Sequence, residues 1–256
     1  MINKVSLALV TSLVAAPAMA ATQTWNFNSS SAPLSSNTNG NTVNMTSGSV
    51  NLTTSGWSDT GGSSDDLIQN ARLVYYSNTL GMINRDEDGS VPDHSVDSYG
   101  DDFDMILLEF DTAVTLTSFS IGWALENGNT NQADLSLLAY TGGSFSGLTN
   151  ETWSSLVSGG GWSVESNFSN IPNYSTVNYA SASNTYSNYW LIGAYNSAFG
   201  SEGWAGARDG FKLAGITSSS KDTPPPGGDV PEPGTLVMLA SGLLALVSSR
   251  RKRAIS

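Results

Sequence analysis

The stretch Phe103-Asp-Met-Ile-Leu-Leu-Glu-Phe110 says most about the fold of this chain. Its centre, Met105–Leu108, is apolar without interruption, whereas a strand with one face in water alternates apolar and polar residues. A continuous run of this length predicts a central strand that is buried on both faces. We therefore expect Leu107 to lie in the core.

Short apolar runs of strand-like length recur along the chain, separated by Ser, Thr, Asn and Gly. The other candidate strands are Thr22–Phe27, Thr42–Thr53, Leu73–Tyr76, Val114–Trp123, Ala133–Tyr140, Gly161–Asn167, Thr176–Ala180, Tyr189–Tyr195 and Phe211–Ile216. The alternation in Val114–Trp123 slips near Ser118 and Phe119, which indicates a β-bulge. These segments predict an all-β fold, an antiparallel β-sandwich of jelly-roll type.

One segment has the pattern of a helix instead. Trp153, Leu156 and Val157 recur at the spacing of one helical face, and Gly159 follows as a stop signal. The sequence predicts one short helix here.

The N-terminal residues Met1–Ala20 have the features of a secretory signal peptide. Lys4 precedes an apolar run, Val5–Ala16, and Ala18-Met19-Ala20 forms a small-x-small cleavage site. We expect signal peptidase to remove this segment and the rest of the chain to be exported.

The C-terminal residues have three parts in a fixed order. The first is Val-Pro-Glu-Pro, in which proline holds the backbone extended, and its residues are Val230, Pro231, Glu232 and Pro233. The second, Thr235–Ser249, is an uncharged run of 15 residues. As a helix it would span about 22 Å, against about 30 Å of hydrocarbon core. The third is a basic stop that the positive-inside rule keeps in the cytoplasm, namely Arg250, Arg251, Lys252 and Arg253.

This tail resembles the PEP-CTERM sorting signal of Gram-negative bacteria. The resemblance implies recognition by an exosortase, a membrane cysteine protease or transpeptidase that cuts near Pro-Glu-Pro. It further implies an inner-membrane intermediate and release to the cell surface or extracellular matrix. The alternative is an ordinary single-pass anchor, which would usually have a longer apolar span. The predicted organisation is a signal peptide (1–20), a β-sandwich surface domain (21–217), a Pro/Gly linker (218–229) and the sorting signal with its transmembrane helix (230–256).

The segment between the two signals is strongly acidic. Counted through Pro233, as far as the expected cleavage near Pro-Glu-Pro, it holds all 22 acids but only five of the 10 cations, for a formal charge of −17; these cations are Arg72, Arg85, Arg208, Lys212 and Lys221. Such a surface repels nucleic acid and anionic lipid and attracts divalent cations. There is no cysteine, so the exported fold is expected to be stable without disulfides.

The acids are concentrated in one stretch, since eight of the 22 lie between Asp86 and Asp104. Residues 84–89 match the first half of a calcium-binding loop, with oxygen ligands at positions 1, 3 and 5 and glycine at position 6. Position 12 is Ser95 rather than Glu, so a later Asp would have to close the site. Two interpretations stay open, a solvated acidic loop or a Ca²⁺ site formed by Asn84, Asp86, Asp88, Asp93 and Asp97.

The sequence gives little basis for catalysis. His94 is the only histidine, and neither a nucleophile elbow nor a metalloprotease helix is present. We predict no catalytic residues and no enzymatic activity. A glycosidase with two carboxylates leaves no local signature, so an enzyme acting on polysaccharide stays as a third hypothesis.

Two tryptophans are candidates for carbohydrate binding. Trp57 and Trp204 are flanked by Gly and Ser and are expected to be exposed rings on which sugars stack, whereas Trp123, Trp153 and Trp190 fit the core. These aromatic residues support the alternative function of a Ca²⁺-dependent, lectin-like module.

Six segments give the mature domain the look of a family of exosortase-dependent surface proteins. They are Asn84–Asp86, Pro92–Asp97, Phe103–Phe110, Ile121–Trp123, Leu138–Gly142 and Tyr189–Asn196. The resemblance implies a surface or matrix protein. The predicted function is therefore an exported protein associated with exopolysaccharide or biofilm.

Overall fold

The computed structural model describes residues 20–60, 66–86, 94–127, 131–179, 184–202 and 208–221. Ala20–Lys221 forms one compact unit. The described residues form thirteen strands, one α-helix and two 3₁₀ turns, at Tyr99–Asp101 and Ser197–Phe199. In chain order the strands and helix are β1 (Thr22–Asn26), β2 (Thr42–Ser47), β3 (Val50–Asp59), β4 (Ile68–Asn70), β5 (Arg72–Tyr76), β6 (Thr79–Ile83), β7 (Val96–Asp97), β8 (Asp104–Glu126), β9 (Gln132–Tyr140), α1 (Trp153–Ser158), β10 (Trp162–Pro172), β11 (Ser175–Asn178), β12 (Ser187–Ala194) and β13 (Asp209–Ser220). The strands pair antiparallel, which confirms the predicted all-β class and is consistent with a sandwich.

Strand β8 organises the fold because it changes partners half-way along its 23 residues. Its first half lies between β3 and β12, with Ile106 opposite both Gly56 and Ile192. Its second half pairs with β13 and β11. The sequence predicted two strands here, and that division is wrong, since the polar residues near Asp111 lie within one continuous strand.

The first half of β8 is buried on both faces. Ile106 and Leu108 point into the main core, while Met105 and Leu107 pack in a second cluster with Trp153 of α1. The prediction of a central strand at Met105–Leu108 is confirmed. The run is continuously apolar because hydrophobic clusters lie on both of its sides.

The second half of β8 contains the predicted slip. Its register with β13 shifts between Leu116 and Ser118, so Phe119 and Ile121 continue the buried face that Leu116 began. Two more shifts lie on either side of Ile121, and beyond them Ala124 is buried and Trp123 is only half-buried. The placement of Trp123 in the core is therefore wrong, while Trp153 and Trp190 are fully buried as predicted.

Strands β2 and β3 form a hairpin where the sequence predicted one strand, Thr42–Thr53. Ser47 pairs with Val50 across a two-residue turn. Gly48 has a φ of 61°, a value that suits glycine at the first central position of such a turn. The predicted single strand therefore missed a reversal of chain direction.

Helix α1 covers the outer face of the strands near Leu107. The Oγ of Thr152 accepts a hydrogen bond from the Ser155 amide at 3.2 Å, which satisfies one free donor of the first turn. Trp153 and Leu156 are its buried residues, and the helix ends before Gly159 as predicted.

The two chain ends of the compact unit meet. Strand β1 pairs with β13, with Thr22 opposite Ser219, and the Ser220 amide donates to the Ala21 carbonyl at 3.1 Å. Because β13 continues to Ser220, residues 218–220 belong to the sheet rather than to the predicted linker. The signal peptide apart from Ala20, the linker after Lys221 and the sorting signal lie outside the described residues. Within the described part, no helix combines the length and apolarity needed to cross a membrane.

Candidate functional site

Three carboxylates from distant parts of the chain converge at one end of the strands. Glu126 is the last residue of β8, Asp209 is the first residue of β13, and the two are direct cross-strand partners. Asp134 is the third residue of β9. One side-chain oxygen from each of these residues lies within 4.8 Å of the others. Among the described residues this is a group of acids close enough to share one ion.

Hydrogen bonds hold the three carboxylates in place. The Asp134 amide donates to Asp209 Oδ1 at 2.8 Å, and the Asn170 amide donates to Asp134 Oδ1 at 2.7 Å. The Gln132 side-chain amide donates to Glu126 Oε2 at 2.9 Å. Each acid thus accepts at least one hydrogen bond, which restrains its orientation.

Asp209 is the most strongly desolvated of the three. Its exposed fraction is 0 %, and Oδ2 has no hydrogen-bond partner among the described residues. Burial raises the pKa of Asp209 to about 7, and the negative charges of Asp134 and Glu126 raise it further against the lowering effect of the Asp134 amide. Burial likewise raises the pKa of Asp134.

A second group of buried acids lies around β7 and the start of β8. Asp97 Oδ2 accepts from the Ser95 hydroxyl at 2.8 Å, and Oδ1 accepts from the Tyr99 amide at 3.1 Å. Burial raises the pKa of Asp97 to about 7, and the charge of Lys212 partly offsets this effect. Both carboxylate oxygens of Asp97 thus accept hydrogen bonds from neighbouring residues of the protein.

The predicted calcium loop is only partly described. Asn84 is buried, and its Oδ1 accepts from the Asp86 amide at 3.0 Å. Asp86 is exposed, and Asp97 lies in the group of buried acids around β7. Asp88 and Asp93 lie outside the described residues, so this site stays a prediction. His94 is half-buried and stacks on Tyr76, with ring centroids 6.3 Å apart.

The sequence did not point to the group of Glu126, Asp134 and Asp209. Asp134 and Asp209 are separated by 75 positions, so no local motif connects them. The only local signal was that Asp134 falls near the start of a predicted strand, while Glu126 and Asp209 lie within three residues of the ends of two others.

The predicted position of Trp57 is wrong. Trp57 is half-buried within β3 rather than exposed in a loop, and it packs on the cluster that contains Leu107. Its indole Nε1 donates to the Ser55 hydroxyl at 2.9 Å. Trp204 lies outside the described residues, and sugar binding by either ring stays untested.

Two adjoining grooves run beside β5 and β6, with volumes of about 480 and 440 Å³. Asn37, Arg72 and Ile83 line both grooves. The first groove also contains the half-buried Tyr75, and the second contains Arg85. Two of the five cations of the acidic domain therefore lie along one surface depression, next to amide and aromatic side chains.

Comparison with protein families adds evidence on the C-terminal residues. A family model described as the PEP-CTERM protein-sorting motif matches residues 229–252. The chain carries a PEP-CTERM sorting motif. The match includes Val230–Pro233 and the basic residues through Lys252, so the resemblance inferred from these residues is confirmed.

The PEP-CTERM motif marks this protein as an exported surface protein that is targeted to exosortase. Neither the curated proteins nor the solved structures give a match to the chain. The likeness of the mature domain to exosortase-dependent surface proteins therefore stays a prediction, independent of the confirmed motif.

Proposed function

We propose that this protein is released by exosortase into the extracellular matrix of a Gram-negative bacterium, where its β-sandwich associates with exopolysaccharide. Signal peptidase acts first at the N-terminal segment, and the C-terminal motif holds the chain at the inner membrane until exosortase cuts it. The motif supports the delivery, and the groove with Asn37, Arg72 and Arg85 carries the proposal for polysaccharide.

The chemistry of the groove suits a saccharide. Guanidinium and amide groups donate hydrogen bonds to hydroxyl and carboxylate oxygens, and an aromatic ring packs on the apolar face of a sugar. Arg72 lines this groove together with Asn37 and Tyr75, and its Nη1 donates to Asn37 Oδ1 at 3.4 Å. A preformed arrangement of this kind loses little side-chain entropy when it binds.

The charge of the protein limits the ligand. The domain is strongly acidic, and an anionic polysaccharide would be repelled by most of its surface. We therefore propose that contact occurs at the cationic groove, with neutral or sparsely acidic saccharides preferred over polyanions.

We also propose that the domain binds without catalysing a reaction. A glycosidase needs a proton-donating carboxyl group in contact with the sugar. Among the described residues, the carboxyl groups whose pKa values rise to about 7 belong to Asp59, Asp97 and Asp209. All three are buried to an exposed fraction of 1 % or less, which keeps a polymer away from them.

Delivery and binding are tested separately. Replacement of Pro231, Glu232 and Pro233 with Ala should leave the chain in the inner-membrane fraction. Appearance of this variant at the surface with normal size would contradict the sorting role.

Binding is measured by co-sedimentation of the full chain with exopolysaccharide purified from the native host. Loss of a charged hydrogen-bond donor costs about 1.5–3 kcal/mol, so Arg72→Gln should weaken binding about tenfold or more. Arg208→Gln makes the same charge change at an exposed site that lies near Tyr99 and away from the groove, and should bind as the wild type does. Equal losses in both variants would show that net charge, not the groove, governs association.

A further inference from the structure

We propose that Glu126, Asp134 and Asp209 bind one divalent cation, best matched by Ca²⁺, where β8, β9 and β13 come together. This site is distinct from the acidic loop that begins at Asn84 and does not depend on the proposed polysaccharide binding. Its ligands come from three strands, so the ion would join the start of β9 to the β8–β13 pair.

The spacing of the oxygens suits this ion. Calcium binds oxygen at about 2.3–2.6 Å, so two ligands of one ion lie at most about 5 Å apart. The three carboxylate oxygens lie within 4.8 Å of one another, which satisfies that limit without movement of the strands. Water and backbone carbonyl groups complete the 6–8 oxygens that calcium takes in proteins.

The type of ligand selects the class of metal. All three side chains are carboxylates, which suit hard cations, whereas zinc and copper sites in proteins use His or Cys. The chain has no cysteine, and its one histidine stacks on Tyr76 instead. Magnesium demands near-ideal octahedral geometry, while calcium accepts an irregular set such as this one.

Asp209 Oδ2 is the independent observation that points to a ligand. This oxygen is buried and has no hydrogen-bond partner among the described residues. A buried acceptor without a partner is costly, and a cation supplies the missing interaction. The other oxygen, Oδ1, accepts from the Asp134 amide, and this bond fixes Asp209 in the group of three carboxylates.

The hydrogen bonds around the group prepare it for an ion. The Asn170 amide and the Gln132 side chain each donate to one carboxylate, as outer partners do for metal ligands. Glu126 is half-buried while Asp134 and Asp209 are buried, so Glu126 gives the site its path to solvent. The extracellular location that the sorting motif implies is one where weak calcium sites with Kd values of about 10⁻⁴–10⁻³ M are filled.

The test uses the full chain, purified in mild detergent and stripped with EDTA. Titration with CaCl₂ is followed by calorimetry and by the melting temperature. Ca²⁺ should bind and raise the melting temperature in proportion to the logarithm of its concentration above Kd, since it binds the native state. Asp209→Asn should lower the affinity at least tenfold and remove the shift.

Three comparisons make the result specific. Glu126→Gln, at the more exposed ligand, repeats the test in case Asp209→Asn does not fold. Asp86→Asn with Asp88→Asn removes acids of the separate loop and should retain the wild-type response. MgCl₂ should give a smaller shift than CaCl₂.

Several outcomes would overturn the proposal. The first is that the wild type does not bind at 10 mM CaCl₂, a concentration roughly ten times the upper end of that Kd range. The second is that Asp209→Asn and Glu126→Gln both respond to calcium as the wild type does. The third is that MgCl₂ raises the melting temperature as much as CaCl₂ does. If only the variant with Asp86→Asn and Asp88→Asn lost the calcium-dependent shift in melting temperature, calcium would be assigned to the acidic loop instead.

Discussion

Replacement of Asp59 with Asn should make the protein more stable at neutral pH and leave it unchanged in acid. Asp59 is the last residue of β3 and is fully buried. Oδ1 accepts from the Phe103 amide at 2.6 Å. Oδ2 forms no hydrogen bond of normal geometry with the described residues, although the Trp153 side chain lies near enough to the carboxyl group to oppose the rise in its pKa. Asn keeps the acceptor and the shape of the side chain but cannot carry the negative charge.

The direction of the effect follows from the two pKa values of this carboxyl group. Burial raises the pKa of Asp59 from 3.8 to about 7, so the folded protein keeps a proton that the unfolded chain has already lost. The free energy of unfolding therefore falls as the pH rises from about 4 to about 7. The full shift corresponds to about 4 kcal/mol, and water penetration in a real interior reduces this to about 2–4 kcal/mol.

The assay is urea unfolding of both proteins at pH 4 and pH 8 in EDTA, followed by tryptophan fluorescence. The free energy of unfolding of the variant should exceed that of the wild type by about 2–4 kcal/mol at pH 8 and should equal it at pH 4. The other buried acids do not affect this difference, because both proteins contain them. Asp111→Asn is the control, since Asp111 is exposed and the Asn51 amide lowers its pKa, so no gain at pH 8 is expected. A variant of Asp59 that is equally or less stable at pH 8 would refute the reasoning.

Two further predictions concern packing. Leu107→Ala should lower the free energy of unfolding in urea by about 2–5 kcal/mol, because it opens a cavity beside the central strand. Leu67→Ala, at a side chain that is 49 % exposed, should lower it far less. Similar losses in the two variants would mean that the second cluster contributes little to stability. Gly81→Ala should destabilise strongly, because its Cβ would overlap the carbonyl oxygen of His94, whereas Gly143 has open space around it and its replacement by Ala should be tolerated in a thermal melt. A melt in which Gly81→Ala matches the wild type would contradict the close approach of β6 to His94.

Local sequence patterns correctly predicted those strands and helices whose signal is contained in a short segment. The apolar run at Met105–Leu108 and the capped pattern at Thr152–Gly159 each hold their signal within a few residues, and both are confirmed. The break near Asp111 misled the prediction because β8 changes partners there without ending. Sequence spacing carries no information on such a change.

The candidate sites depend on contacts between distant residues. Trp57 sits among Gly and Ser in the sequence, yet pairing of β3 with β8 brings it against the second cluster. Asp134 and Asp209 meet only because the antiparallel strands end at the same place. By contrast, the sorting motif is read as a linear segment, and residues 229–252 were identifiable without any fold.

The meeting of the two chain ends gives the domain a direction-dependent mechanical strength. A force that pulls Ala21 and Lys221 apart acts on the Thr22–Ser219 pair first and separates β1 from β13 one pair at a time. A force applied between Lys221 and the loop after Glu126 acts instead along β13 and β8, so many hydrogen bonds share the load at once. The domain should therefore unfold at a low force when it is pulled by its two ends and at a higher force when it is pulled along β8 and β13.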